Sequence, residues 1–317
     1  MRVLTLAEIR RTLVYTEIIG CMREALLAHA RGECETPMPM HLGIAPEAAE
    51  VHIKSSYRRG GRHFALKIAG TFPANARRGA STSSGMMLLS SAETGEPVAF
   101  LADDGYLTDV RTAAVAAMMA RELGRRDSVL GILGTGIQAR LQAVMHAEVL
   151  PLETIWIWGR TAEHAETCAR DIGEALPGRT VRVAESAAKA AEQGRLIVTA
   201  TAARAPLLVA GDILPGTHIS AVGADSPGKQ ELDPGILRRA GLIVADSLRQ
   251  CARLGELQHA PDEFFRAREF TGEALVIAPD DITVADFTGL GVEDLYIAEY
   301  VYEKSALPIS PLVHGRS

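Results

Sequence analysis

Residues 128–139, SVLGILGTGIQA, restrict the fold more than any other stretch of the chain. Val129, Leu130, Ile132 and Leu133 make a short strand that is apolar on both faces, so it belongs inside a sheet covered on both sides. A glycine turn follows at once, and then the opening of a helix. Gly134-x-Gly136-x-x-Ala139 matches the dinucleotide fingerprint, with alanine at the third small position. The glycines let the backbone turn tightly and approach a pyrophosphate. The helix N-terminus then offers that anion free amides and a partial positive charge. Gly134, Thr135, Gly136, Ile137 and Gln138 are the expected contacts.

From about residue 127 strands and helices alternate. Strands are expected near 128–133, 154–158, 180–183, 196–201, 217–222, 242–245 and 282–286, with helices between most of them. That rhythm predicts an α/β fold, a Rossmann-type doubly wound parallel sheet. Ligands of such sheets bind beyond the carboxyl ends of the strands. Thr199, Ala200 and Thr201 end one strand there, and Val222 and Gly223 end another. The strand 154–158 is followed by Arg160 and Thr161, where NAD binders place an acid for the ribose. An arginine suits a 2′-phosphate. The expected cofactor is NADP(H) or NAD(H), with Arg160 favouring NADP(H).

The N-terminal third has a different grain. Residues 5–31 read as one or two amphipathic helices, and Pro37-Met38-Pro39 breaks them. Strand-like pieces follow at 51–54 and 63–68. In the second, Phe64, Leu66 and Ile68 form the apolar face and Lys67 stands on the polar one. Residues 86–90 and 98–101 read as a strand pair joined by the turn 93–96. An alanine-rich helix over 108–123 is expected, with Thr108 as N-cap and Gly124 as stop. A last helix over 292–302 follows the parallel sheet and returns to the first domain. The 317 residues exceed what one core usually holds, so a second, α+β domain is expected. The division is residues 1–112 with 290–317 against 113–289.

Composition removes several classes. A net charge of −6 argues against a nucleic-acid binder. No apolar run approaches the ~18 residues of a membrane span, and the N-terminus lacks a signal-peptide core. Cys21, Cys34, Cys168 and Cys251 have no metal-ligand spacing, so a cytoplasmic protein with reduced thiols and no metal is expected.

Three charged residues carry the chemistry. Asp225 follows an apolar strand at the sheet's ligand edge, where a carboxylate can relay a proton to an amine or order a water. Arg111 falls in the first turn of the alanine-rich helix and opposes its dipole. It either faces an anion, such as a substrate carboxylate or a cofactor phosphate, or pairs with Asp103, Asp104 or Asp109. Lys67 on its strand pairs with a carboxylate or extends to solvent.

Four segments taken in order resemble the ornithine cyclodeaminase and mu-crystallin family. They are the Lys67 strand with Thr71-Phe72-Pro73-Ala74-Asn75, the stretch Thr108 to Ala114, the Gly134 turn, and the loop from Gly223 to Asp233. The resemblance implies a two-domain enzyme, a homodimer built through the non-nucleotide domain, a nicotinamide cofactor and a small amino or imino acid. It implies that Lys67 and Arg111 hold the substrate carboxylate and that Asp225 handles protons at the amine. Lys229 and Thr82 would lie near the cofactor. His41 stands near the place of a carboxylate-gripping arginine in many members. Where cyclodeaminases commonly carry a Lys-Ser pair, this chain has Asp286-Phe287-Thr288-Gly289, as in the alanine-dehydrogenase and ectoine-utilisation branches, with Thr288 and Gly289 at the substrate.

The resulting reading is an NAD(P)H-dependent reductase of a small α-imino or α-keto acid that yields an L-amino acid. Arg58, Arg59, Arg62, Arg77 and Arg78 hint at a dicarboxylic imine such as iminosuccinate. Two alternatives stay open: a cyclodeaminase-type lyase that releases ammonia without net redox change, and a crystallin-like nucleotide-binding protein.

Overall fold

The computed structural model describes residues 1–45, 49–123 and 127–306. Its first sheet has seven strands: β1 (Arg2–Thr5), β2 (Cys34–Glu35), β3 (Met40–Ile44), β4 (Ala49–Arg58), β5 (His63–Thr71), β6 (Ser83–Ser91) and β7 (Pro97–Ala102). The order is β1-β7-β6-β5-β4-β2, with β3 also on β4, antiparallel throughout except for β1 beside β7. Helices α1 (Leu6–Thr12) and α2 (Tyr15–Ala30) precede its meander, and α3 (Tyr106–Glu122) leaves it.

The second sheet is wholly parallel. It holds β8 (Val129–Leu133), β9 (Thr154–Trp158), β10 (Thr180–Val183), β11 (Leu196–Thr199), β13 (His218–Ala221), β15 (Leu242–Ala245), β16 (Arg268–Glu269) and β17 (Thr283–Asp286). A small parallel pair, β12 (Arg204–Leu208) and β14 (Gln230–Leu232), lies beside it. The eight-strand order is β10-β9-β8-β11-β13-β17-β15-β16, so the chain reverses direction between β8 and β11. That reversal opens a crevice at the carboxyl edge, the expected ligand position. The connecting helices are α4 (Ile137–Val149), α5 (Ala162–Ala175), α6 (Ala187–Ala191), α7 (Pro234–Arg239) and α8 (Leu248–Leu254). The last helix, α9 (Gly291–Ala306), packs back on β4, β5 and β6 of the first sheet.

The central strands β11, β13, β15 and β17 are buried along their whole length, as two-sided packing requires. The alanines of α3 are buried too, which lets α2, α4 and α9 approach it closely. Among the described residues no helix is long and apolar enough to cross a membrane.

Three expectations need correction. Helix α3 starts at Tyr106 with Gly105 (φ +85°) as its N-cap, and the Asp103 carboxylate accepts from Leu107 N at 2.8 Å. Thr108 therefore lies inside the helix, and Gly124 falls outside the described residues. Arg111 is then beyond the first turn. The two faces of β5 are reversed: Ala65 and Lys67 are buried, while Phe64 and Leu66 are half-buried and Ile68 is exposed. Helix α9 covers the Lys67 face, and alternation alone carries no sign of which face is covered. Strands β1, β2, β3, β12, β14 and β16 were not foreseen, because each is short and finds its partner through pairing.

Candidate active site

The glycine turn has the geometry of an anion cradle. Gly134 has φ +138°, and a Cβ there would sit 2.5 Å from the Ala200 carbonyl oxygen. Only glycine fits both demands. At Gly136, the N-cap of α4, a Cβ would meet nothing within 4 Å, so that side of the turn is open. Arg140, anchored on Asp171, donates to the carbonyls of Thr135 (2.7 Å) and Gly136 (3.0 Å). This satisfies the turn's oxygens and leaves the first α4 amides without helical partners. The residues present fit a dinucleotide pyrophosphate. Ile137 is exposed, and Gln138 donates to Asp109 O and Oδ1, both at 3.1 Å, tying α4 to α3. Arg160 and Thr161 are exposed at the end of β9. Thr82 lines a shallower groove with Ile137 and Asp109.

A cavity of about 490 Å³ lies between this crevice and the inner face of the first sheet, lined by residues of both. Its sheet wall is cationic. Lys54 and Lys67 are direct neighbours across the β4–β5 pair, both buried, and both line the cavity. Like charges placed so repel each other. Compensation comes from the α9 segment: Lys67 Nζ is 3.3 Å from Asp294 Oδ2, and Lys54 Nζ donates to the carbonyls of Thr288 (3.0 Å) and Gly289 (2.7 Å). Arg111 joins them, with Nη1 3.0 Å from Glu293 and Nε 3.2 Å from Asp294. Its partners are thus distant acids rather than Asp103, Asp104 or Asp109. Burial pushes the Lys67 ammonium down to about 7, although Asp294 opposes the shift. Burial raises Glu293 to about 7 against the pull of Arg111. Gly289 has φ +75°, and a Cβ there would stand 2.3 Å from Arg111 Nη1, so glycine leaves room for the guanidinium.

Asp225 lines the same cavity from the other sheet, half-buried, and its carboxylate accepts from Lys229 Nζ at 2.6 Å. Burial would raise its pKa, but Lys229, then Lys54 and His52, outweigh it and hold it at about 2. The group is ionised at neutral pH and is not an acid there. Beneath its loop the buried Glu231 accepts from Thr199 Oγ1, from Thr201 N and Oγ1, and from Gly223 N. This corrects the role expected of Thr199 and Thr201: their hydroxyls fasten strand ends to Glu231, and Thr199 is fully buried. Val222 remains on the cavity wall, as do Thr288 and Gly289, whose amides are held by Asp246 at 2.8 and 2.6 Å. Ala200 contributes the carbonyl that faces Gly134.

His41 is not on that wall. It is exposed on β3 beside Glu50 and His52 at the cavity mouth. The arginines read as marks of a dicarboxylic substrate lie away from the cavity: Arg58, Arg59 and Arg62 pair with Glu33, Glu35 and Glu303, and none of the five lines it. Sequence reading missed two cations of the cavity lining, Arg204 and Lys54. The signal of Lys54 was present, since Glu50, His52 and Lys54 alternate along β4 and share one face. Thr108 lines the cavity as well, and among the described residues its buried hydroxyl has no hydrogen-bond partner.

A parallel sheet with a dinucleotide cradle, facing a second sheet with buried cations, has the make-up of a nicotinamide-dependent oxidoreductase. The chain belongs to the ornithine cyclodeaminase/mu-crystallin family, whose sequence pattern matches residues 1–307. It is 36% identical over 318 residues to an uncharacterised cyclodeaminase of Sinorhizobium fredii (strain NBRC 101917 / NGR234), covering 96% of each chain. Its structure resembles the Δ1-pyrroline-2-carboxylate reductase of Thermococcus litoralis in complex with NADH and L-proline, with TM-score 0.90, 26% identity and coverage of 96% and 98%. It also resembles an archaeal alanine dehydrogenase dimer with bound NAD, with TM-score 0.88, 28% identity and 96% coverage of each.

Proposed function

We propose that this chain is an NAD(P)H-dependent reductase that converts a small α-imino acid, or the α-keto acid from which the imine forms, into an L-amino acid. One observation carries the reading. Two buried lysines face each other across a strand pair beside a buried arginine, and an ionised carboxylate lines the same cavity from the opposite sheet. Repulsion between like charges is relieved when an anion binds between them. Lys67, Lys54 and Arg111 therefore hold the substrate carboxylate, and the Thr288–Gly289 backbone fixes Lys54 in place.

Asp225 then stands on the side of the substrate nitrogen. Because Lys229 keeps it ionised, it stabilises the positive charge of a protonated C=N group, which makes the carbon electrophilic. The residues Gly134 to Gln138 would hold NAD(P)H, which when bound supplies the hydride. The end of β9 carries Arg160 and no acid, which favours NADP(H). The division into residues 1–112 with 290–317 and residues 113–289 gives one unit to substrate and one to cofactor. A row of Met40, Ile53, Ile68 and Met86 crosses four strands on the outer face of the first sheet. Three of the four are exposed, an apolar face suited to a second copy of the chain.

The test follows nicotinamide absorbance and ammonia together. The panel holds pyruvate, glyoxylate and oxaloacetate, each with ammonia or methylamine, cyclic imino acids, and ornithine. Oxidation of NADPH or NADH by an imino or keto acid is the expected result. Ammonia from ornithine without net absorbance change would replace the reductase with a cyclodeaminase.

A further inference from the structure

At the cavity mouth His41, Glu50 and His52 converge from two paired strands. The antiparallel register sets His41 opposite His52, and Glu50 precedes His52 by two residues on β4, so all three stand on the Lys54 face. His41 Nε2 lies 3.8 Å and His52 Nε2 3.7 Å from Glu50 Oε2, and all three ligand atoms fall within 4.8 Å of one another. These separations are too long for direct hydrogen bonds, so the three groups converge without bonding one another. They suit an ion bonded to each.

We propose that His41, Glu50 and His52 form a binding site for a divalent transition cation of the zinc class, placed at the rim of the cavity. Two imidazole nitrogens and one carboxylate oxygen are a donor set that zinc favours, whereas magnesium and calcium favour oxygen throughout. Zinc bonds of about 2.0–2.2 Å put tetrahedral ligands about 3.3–3.6 Å apart. The 3.7 Å between His52 and Glu50 is already close to that spacing, and rotation of the exposed His41 side chain brings its nitrogen to the same range. Glu50 Oε1 faces Arg204 Nη2 at 3.6 Å, which leaves Oε2 for the ion and fixes the carboxylate from its far side. Glu50 and His52 line the cavity, so the fourth ligand position opens toward it. A water, or a carboxylate oxygen of an acid in the cavity, fills that position. The site does not depend on the reductase reading, since metal binding is measured without substrate.

The full chain is treated with a chelator, dialysed against zinc chloride, and its metal content measured by mass spectrometry. A parallel sample takes Co2+ and its visible spectrum is recorded. The site predicts one zinc per chain, visible bands from bound Co2+, and at least about tenfold weaker binding in His52→Ala and Glu50→Gln. His63→Ala, on β5 and paired with Glu299, should bind zinc like the unmodified chain. Far-ultraviolet circular dichroism and dinucleotide fluorescence confirm that each variant is folded. Substoichiometric zinc in the unmodified chain overturns the site, as does undiminished zinc in a folded His41→Ala/His52→Ala double variant.

Discussion

The glycine turn and the cationic wall of the cavity are built in opposite ways. The turn is a run of contiguous residues whose conformation is settled by local sterics: Gly134 cannot carry a side chain, and α4 begins because the chain has turned. The wall is assembled from β4, β5, α3 and α9, and Arg111 reaches acids more than 180 residues away. A backbone anion site needs no counterion, because its charge is partial and shared among amides. Three cationic side chains taken out of water need carboxylates and carbonyls brought to them, and only a folded chain supplies these.

The contrast can be broken most severely at Asp294. Asp294→Ala leaves Lys67 and Arg111 short of a buried partner, and a loss of about 3–5 kcal/mol is expected. Urea unfolding measures it, and a loss below ~1 kcal/mol would show that the wall does not depend on that acid. Next comes Gly289→Ala, which strains a left-handed position and pushes on Arg111. A displacement of ~1 Å at a positioning group can cost about a hundredfold. Steady-state kinetics should show the effect in KM for the acid substrate more than in kcat. At the dinucleotide turn, Gly134→Ala should weaken dinucleotide binding by about tenfold or more, as read by NADPH fluorescence titration, with the acid-binding residues untouched.

Lys67 gives a pH test. It is protonated, and able to hold a carboxylate, below about 7, and loses its charge as pH rises through that value. The ratio kcat/KM, which reports the free enzyme, should therefore fall as pH rises through about 7. In Lys67→Arg the limb should vanish, since arginine stays protonated. An unchanged limb would assign it to another group. The smallest effect belongs to Arg160→Ala. An exposed ion pair is worth about 1 kcal/mol or less, so a shift of roughly fivefold from NADPH toward NADH is expected from paired kinetics.

The legible part of the site follows the same division. The turn at 134–138, the loop of Asp225 and seven of the eight strands of the parallel sheet could be read along the chain; Lys67 and Arg111 were singled out too, although Arg111 lies beyond the first turn of its helix and Lys67 stands on the covered face of β5. The partners of Arg111 could not be read. Glu293 and Asp294 look like ordinary acids in the first turn of a helix, where the dipole alone accounts for them. Glu231, Asp246 and Asp286 were equally silent, because each is a buried carboxylate that accepts backbone amides from distant segments.

The sequence by itself determined the α/β alternation, the dinucleotide turn and the identity of three charged groups, because strand and helix periodicity and glycine conformation are local properties. The tertiary structure decided which face of β5 is buried, that Lys54 stands beside Lys67, which acids hold Arg111, and that His41, Glu50 and His52 meet. These depend on strand register and on the return of α9 to the first sheet. Electrostatic energy follows distance through space, and sequence separation carries no measure of that distance.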